Sequence, residues 1–394
     1  MKHNWKSPNT IIGSAATGNY YFQRDEIVDE IWKELKKGNY ILIAAPRRVG
    51  KTSVMKYMEE NPQENFKLVF KNIQSIKSEN ELYEELYRLI LSCLNRSTQL
   101  KQWFTQYLKS KSISEIDLNG NIKFSNIGID FKSEIDNIIP KIEDNGETIV
   151  LLIDELPEVL HKLNKNGKKE QAISILKNLR RWRQNSQFKK LRFVLAGSIG
   201  IHYVVNTIEG RNSDLNDLVK IPCNPLENTE TNDYFDWATK DATVQYTLDM
   251  REYLLSKILY FVPYFFNIML DAIDNRAKKD NSPIVTKQSI DVAFDLAIKN
   301  NDYFKDWKKR LSDYLIKEDF SFVNELLIHI AHKDKISIQE IYNKAVNHNK
   351  IDDYMEFIND LERDGYIVEN NQQYVFISPF LKEFWKRNNP VYNG

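Results

Sequence analysis

Asn39-Tyr-Ile-Leu-Ile-Ala-Ala-Pro-Arg-Arg-Val-Gly-Lys-Thr-Ser-Val54 runs an apolar stretch into a short loop and then into a helix-forming segment. Tyr40–Ala44 is continuously apolar, as a strand buried on both faces of a sheet should be, and Ser53–Glu60 reads as a helix. Between them the chain follows the phosphate-loop pattern G-x-x-x-x-G-K-[ST] except at its first position. That pattern needs small residues because the backbone must curl until successive N–H groups point inward at a phosphate, beside a helix N-terminus that favours anions. Gly50, Lys51 and Thr52 satisfy it, and Ala45 stands for the first glycine. Alanine carries a Cβ, so the loop closes only if Ala45 keeps a negative φ. A Gly-Lys-Thr turn after a buried strand is the plainer reading. The flanking strand and helix favour a phosphate cradle built from Ala45, Pro46, Arg47, Arg48, Val49, Gly50, Lys51, Thr52 and Ser53.

The rest of the composition mostly excludes. At 394 residues with 42% apolar side chains, the chain has material for two or three cored domains. Its formal charge is zero, so bulk electrostatics point to neither nucleic acid nor acidic lipid. Cys93 and Cys223 lie far apart with no C-x-x-C and no zinc-holding histidine spacing, which fits a reducing compartment. The six histidines form no Ser/His/Asp or Cys/His set, so the one metal to expect is a nucleotide's magnesium. Met1-Lys-His-Asn-Trp-Lys-Ser-Pro8 has no apolar core of a signal peptide, and no apolar stretch is long enough to span a bilayer. A soluble, cytoplasmic protein is expected.

Along the chain, Ile27, Ile31, Trp32 and Leu35 recur at helical spacing before the loop strand. A second strand, Phe66–Asn72, precedes a helix from about Glu79 to Leu94. Residues 95–146 read as an insertion, with alternation about Asn119-Gly120 across Ile116–Phe124 signalling a hairpin. Strands follow at Thr148–Ile153, Leu191–Ala196 and Leu218–Pro222, with a helix from about Lys168 to Asn185 between the first two. Five short apolar strands separated by helices predict a parallel, three-layer α/β sheet. From about Asn228 to Asp319 the pattern is helical throughout, with an apolar stripe over Leu254, Leu255, Ile258, Leu259 and Phe261. The remainder gives helices Phe322–Ala331, Ile338–Asn347 and Asp352–Asp364, then a hairpin over Tyr366–Ile377 about Asn370-Asn371, the order of a winged helix-turn-helix.

Certain residues would do chemistry in this frame. Lys51 should reach the β- and γ-phosphates, and the Thr52 hydroxyl should ligate Mg²⁺. Strand Thr148–Ile153 delivers Asp154 to the carboxyl edge of the sheet, where it would hold Mg²⁺ through water; adjacent Glu155 would orient and deprotonate an attacking water. The plainer reading of an Asp-Glu pair after a strand is a helix cap; with a phosphate loop upstream, the catalytic reading is favoured. Ser198, beyond Leu191–Ala196, stands where a polar side chain senses a γ-phosphate, or is an ordinary serine in a Gly-rich turn. Arg211 precedes the last strand and would face a phosphate of its own or a neighbouring subunit, unless it is a solvated loop residue. Arg180, Arg181 and Arg183 are expected to form a basic helix face, and Arg47 and Arg48 to be exposed loop arginines.

These stretches together resemble a family: the archaeal-type ATPases of the STAND branch of P-loop NTPases, relatives of the AAA+ and origin-recognition ATPases. The resemblance rests on Phe22-Gln-Arg-Asp-Glu26, Ala45-Pro-Arg-Arg-Val-Gly-Lys-Thr-Ser53, Leu151-Leu-Ile-Asp-Glu-Leu-Pro157, Gly197-Ser-Ile-Gly200, Gly210-Arg211 ahead of Val219–Pro225, Phe261-Val-Pro-Tyr264 and the terminal winged helix. It implies an ASCE/AAA+-like P-loop domain over residues 1–227, a helical lid over 228–319 and a winged helix-turn-helix over 320–394. It also implies ATP with Mg²⁺, Phe22 and Arg24 near the adenine, Ser198 as first sensor and Arg211 as arginine finger or sensor. Pro263 would be the lid residue touching the base, in a Phe-Val-Pro that lacks the glycine of the family's lid motif; its plainer role is a helix kink.

The expected function is that of a slowly hydrolysing regulatory ATPase, in which nucleotide drives a conformational change or oligomerisation, fitting prokaryotic sensing or defence. A protein partner or self-oligomer is expected. The third helix of the winged segment, Asp352–Asp364, has Arg363 as its sole cation, and Phe320–Gly394 carries eight Lys or Arg against eleven Asp or Glu, which weighs against a phosphate backbone. Lys382, Lys386 and Arg387 keep open the alternative of an ATP-dependent DNA-binding protein of the replication or transposition-helper type. A nucleotide-binding scaffold without turnover is the third reading.

Overall fold

The computed structural model describes residues 5–96, 113–116, 122–124, 129–142, 146–197, 200–210 and 213–392. Its central element is a five-stranded sheet. Strands β1 (Tyr40–Ala44) and β2 (Phe66–Asn72) flank helix α2 (Lys51–Glu60), after α1 (Asp25–Lys36) and before α3 (Glu79–Arg96). A separate antiparallel pair, β3 (Ile113–Ile116) with β4 (Ile122–Phe124), carries the expected hairpin; the Asn-Gly turn itself lies outside the described residues. Helix α4 (Phe131–Ile138) leads to β5 (Thr148–Asp154), followed by α5 (Leu156–Lys165), α6 (Lys169–Gln184), β6 (Leu191–Ala196), α7 (Ile201–Glu209) and β7 (Leu218–Pro222).

The sheet order is β2-β5-β6-β1-β7, every neighbouring pair parallel. Successive residues of a strand point to opposite faces, and β5 is buried at every position from Ile149 to Asp154, so helices cover both faces as the three-layer reading requires. Parallel pairing also brings all carboxyl ends to one edge. Ile43 pairs with Ala196, and Ala196 with Asp154, so the residue leaving β1 and the acid leaving β5 stand on either side of the end of β6. Open α/β sheets bind ligands at this edge.

Beyond Asn224 the chain is helical: α8 (Asn228–Thr239), α9 (Leu248–Ile258), α10 (Pro263–Asp280), α11 (Lys287–Lys299), α12 (Lys305–Tyr314) and α13 (Lys317–Lys333). The stripe expected to run through Leu259 stops at Ile258, because Leu259 turns into a left-handed conformation and is exposed. Then come β8 (Ile336–Ser337), α14 (Ile338–Asn347), α15 (Tyr354–Arg363), β9 (Ile367–Asn370), β10 (Gln373–Phe376) and α16 (Pro379–Asn388). The last three strands form an antiparallel sheet, β8-β10-β9, whose short member β8 the sequence did not announce. Cys93 and Cys223 are both buried, and neither is in a disulfide.

By its internal contacts the chain forms two compact units, residues 23–45 with 51–223, and residues 1–22 with 46–50 and 224–394. The loop segment Pro46–Gly50 thus counts with the helical unit, although both its flanks belong to the sheet unit.

Candidate functional site

In the sheet unit, Lys51 and Thr52 open α2 directly after the loop; the helix begins at Lys51 rather than at Ser53. The Lys51 ammonium is buried and donates to the Ala45 carbonyl at 2.8 Å, closing the loop on itself. The Thr52 hydroxyl donates to Asp154 Oδ2 at 2.6 Å. Asp154 is 2% exposed, and burial raises its carboxyl above the usual range in spite of Thr52 and the Lys51 charge. A hydroxyl, a carboxylate and a lysine at the end of a parallel sheet form an all-oxygen donor pair with a phosphate-seeking cation beside it, and that donor set fits a hard divalent ion with a polyphosphate.

The backbone meets the requirement the sequence imposed. Ala45 is not among the described residues with positive φ, so its Cβ is tolerated. Gly50 has φ +104 with nothing near its would-be Cβ, and is glycine for conformation rather than for space. Arg48 takes φ 64, an uncommon choice for a side chain of that size.

Glu155 follows with φ 67 and donates its backbone N–H to the Ala196 carbonyl at 2.9 Å. It stands at the cap position of α5, yet its side chain makes no capping bond, so the plain helix-cap explanation of this acid does not hold. Helix α5 was not anticipated, although Leu156, Val159, Leu160 and Leu163 recur at helical spacing behind Pro157, which is well suited to a first turn. Val49, in the loop, and Ser53, in α2, are buried. Arg24, also buried, points a guanidinium nitrogen to 4.0 Å from the Cys223 sulfur. Ser198 and Arg211 lie outside the described residues.

In the helical unit, the two loop arginines are not the exposed residues expected. Arg47 is half-buried, donates to the Asp306 carbonyl at 3.3 Å and lies over the Trp307 ring at 5.8 Å. Burial, with repulsion from Arg310 next, pushes its guanidinium down to about 10. Arg48 lies over the Tyr264 ring at 4.7 Å and reaches the Gly13 carbonyl at 3.4 Å. Sequence periodicity could not show these partners, because tertiary packing alone brings them together. Phe22 belongs to an aromatic cluster with Tyr234 at 5.2 Å and Trp237 at 5.6 Å. Pro263 does not kink a helix; it starts α10 at a first-turn position where the missing N–H costs nothing.

The expected basic face on α6 is also corrected. Arg180 pairs with Asp214 at 2.8 Å and Arg181 with Asp136 at 2.7 Å, while Arg183 is buried against Asp217 at 2.7 Å. Carboxylates distant in sequence neutralise the row.

Residues 15–205 match the family model described as predicted AAA-ATPase. Among solved structures, a Walker-type ATPase of Pyrococcus abyssi is 15% identical and superposes with a TM-score of 0.57 over 94% of this chain and 97% of its own, so the two share a fold. The Aeropyrum pernix ORC2 protein follows at 11% identity, TM-score 0.47, over 93% and 94% of the two chains. The Thermotoga maritima RuvB Holliday junction branch migration motor is 11% identical, with a TM-score of 0.43, over 92% and 94%. No curated protein matches the chain in sequence. The sheet, its loop and its order are those of an α/β P-loop NTPase.

Proposed function

We propose that the chain binds ATP with Mg²⁺ at the loop Ala45–Thr52 and hydrolyses it slowly, as a regulatory switch. The observation that supports this most is the direct bond between Thr52 and the buried Asp154, set on separate elements at the carboxyl edge, with Lys51 alongside. Lys51 would leave its loop carbonyl for the triphosphate, and the loop N–H groups would hold the phosphates. Thr52 and Asp154 would hold a magnesium ion, Asp154 through water; such an ion neutralises charge on the phosphoryl oxygens. Glu155, next in the chain to Asp154 at the carboxyl edge, would orient and deprotonate the attacking water. Ser198 and Arg211 are proposed as γ-phosphate sensor and arginine finger from their chain positions, and Phe22, Arg24 and Pro263 as base-side contacts from the resemblance.

In this reading residues 1–227 form the ATPase domain, 228–319 a lid and 320–394 a winged helix, and nucleotide shifts the chain between an inactive and a partner-binding or oligomeric form of the STAND type. Hydrolysis and molar mass measured together, for wild type, Lys51→Ala and Glu155→Gln, test it. Lys51→Ala should lose turnover, and Glu155→Gln should hold ATP while turning over about 10²–10⁴-fold more slowly. Turnover by Lys51→Ala equal to wild type would remove the assignment; a Glu155→Gln indistinguishable from a non-hydrolysing wild type would leave a binding scaffold.

A further inference from the structure

Helix α14 is apolar on two faces. Ile341 and Ala345 are fully buried beneath it, whereas Ile338, Tyr342 and Val346, spaced four apart and therefore on one face, are 40%, 39% and 43% exposed. The Tyr342 and Tyr354 rings meet at 5.9 Å, which joins this stripe to the start of α15, where Ile351 and Met355 are 44% and 37% exposed. Scattered exposed apolar residues need no explanation, but a contiguous strip across two adjacent helices does.

Charge says what fits it. Glu340 on α14, Asp352 and Asp353 in the turn before α15, and Glu356 on α15 are all exposed. Two neighbouring cations are already paired, Lys344 with Glu325 at 2.7 Å and Lys350 with Asp319, which leaves exposed Lys335 against four exposed carboxylates. A phosphate backbone or an anionic lipid surface would meet carboxylates here, and a second copy docked face to face would meet its own acidic rim. We infer that this strip docks an amphipathic helix of a partner protein, one with an apolar stripe flanked by Lys or Arg. The inference goes beyond the nucleotide site and stands whether or not ATP binds.

The test uses the full chain without nucleotide and a fluorescent synthetic helix of about 18 residues, leucine at i, i+3, i+4 and i+7 with lysine elsewhere, beside a twin bearing glutamate for lysine. The lysine helix should bind at least about tenfold more tightly than its twin, and a Tyr342→Ser, Val346→Lys double variant should lose about tenfold or more of that binding. Asp353→Lys with Glu356→Lys should narrow the gap between the two peptides. All four positions are exposed or at the surface rim, so unchanged thermal melts should accompany these losses. Equal binding of the twins, or wild-type binding by the double variant, would overturn the proposal. So would duplex DNA retention, or a concentration-dependent dimer, that the double variant abolishes, since either gives the strip another occupant.

Discussion

Asp154 sits at the end of β5 with its carboxyl raised above the ordinary range, chiefly by burial. A carboxyl whose folded pKa exceeds its unfolded value binds protons more tightly in the native state, so stability is lost as pH rises from the unfolded value through the folded one. Asp154→Asn removes that penalty. Without ligand, the variant should be more stable than wild type near neutral pH, a gain that vanishes on acidification through the ordinary carboxylate range, where both forms become neutral. Urea unfolding of the two proteins across pH checks this; a gain that grows on acidification would contradict the burial argument. The same variant should lose turnover. Arg48 is the second residue under tension, since its φ of 64 disfavours a side chain while Tyr264 at 4.7 Å holds the guanidinium. Arg48→Gly relieves about 1 kcal/mol and forfeits a contact of about 0.5–1 kcal/mol, so it should be nearly neutral. Arg48→Val, branched at Cβ, should cost about 1–2 kcal/mol more than Arg48→Gly in urea unfolding.

At the scale of elements, the junction of β6 with α5 leaves no room for a side chain at Gly197. A Cβ on Gly197 would lie 2.5 Å from Pro157 Cδ and 2.6 Å from Cγ, and a proline ring cannot swing aside. Gly197→Ala should therefore destabilise by about 1–3 kcal/mol and, by displacing Leu156-Pro157, disturb the Asp154-Glu155 pair just before it; a denaturation midpoint equal to wild type would show that the junction has slack. Elements of this kind were unevenly legible in the sequence. Strands β1, β2, β6 and β7 fall where the sequence puts them; β1, inside the sheet, is a continuous apolar run, while the edge strands β2 and β7 carry lysines among their apolar residues and are only partly buried. Helix α5 is only ten residues long and opens on Leu156-Pro157 directly after the Asp-Glu pair, so its period is brief, and β8, just Ile336–Ser337, is too short to carry one. In the terminal hairpin the left-handed turn residues are Asn371 and Gln372, one place beyond the Asn-Asn pair, since glutamine there gives no turn signal.

For the whole molecule, the sheet order explains why one loop and one distant acid could be paired from sequence: parallel strands put every carboxyl end at one edge, so a phosphate loop after β1 and an acid after β5 must share it. What sequence could not give is the allegiance of Pro46–Gly50 to the helical unit, or the stacking of Arg47 and Arg48 on Trp307 and Tyr264, because those depend on residues more than two hundred positions away. Among the described residues no helix is long and apolar enough to cross a membrane, as the composition suggested. In the function proposed above, Lys51 and the Thr52–Asp154 pair grip a magnesium-bound triphosphate. Calorimetric titration of ATP, with and without Mg²⁺, into wild type and Lys51→Ala tests it most directly. Mg²⁺ should strengthen binding in wild type, and Lys51→Ala should weaken it by at least about tenfold, equivalent to about 1.4 kcal/mol; equal affinity for both proteins would rule out this grip.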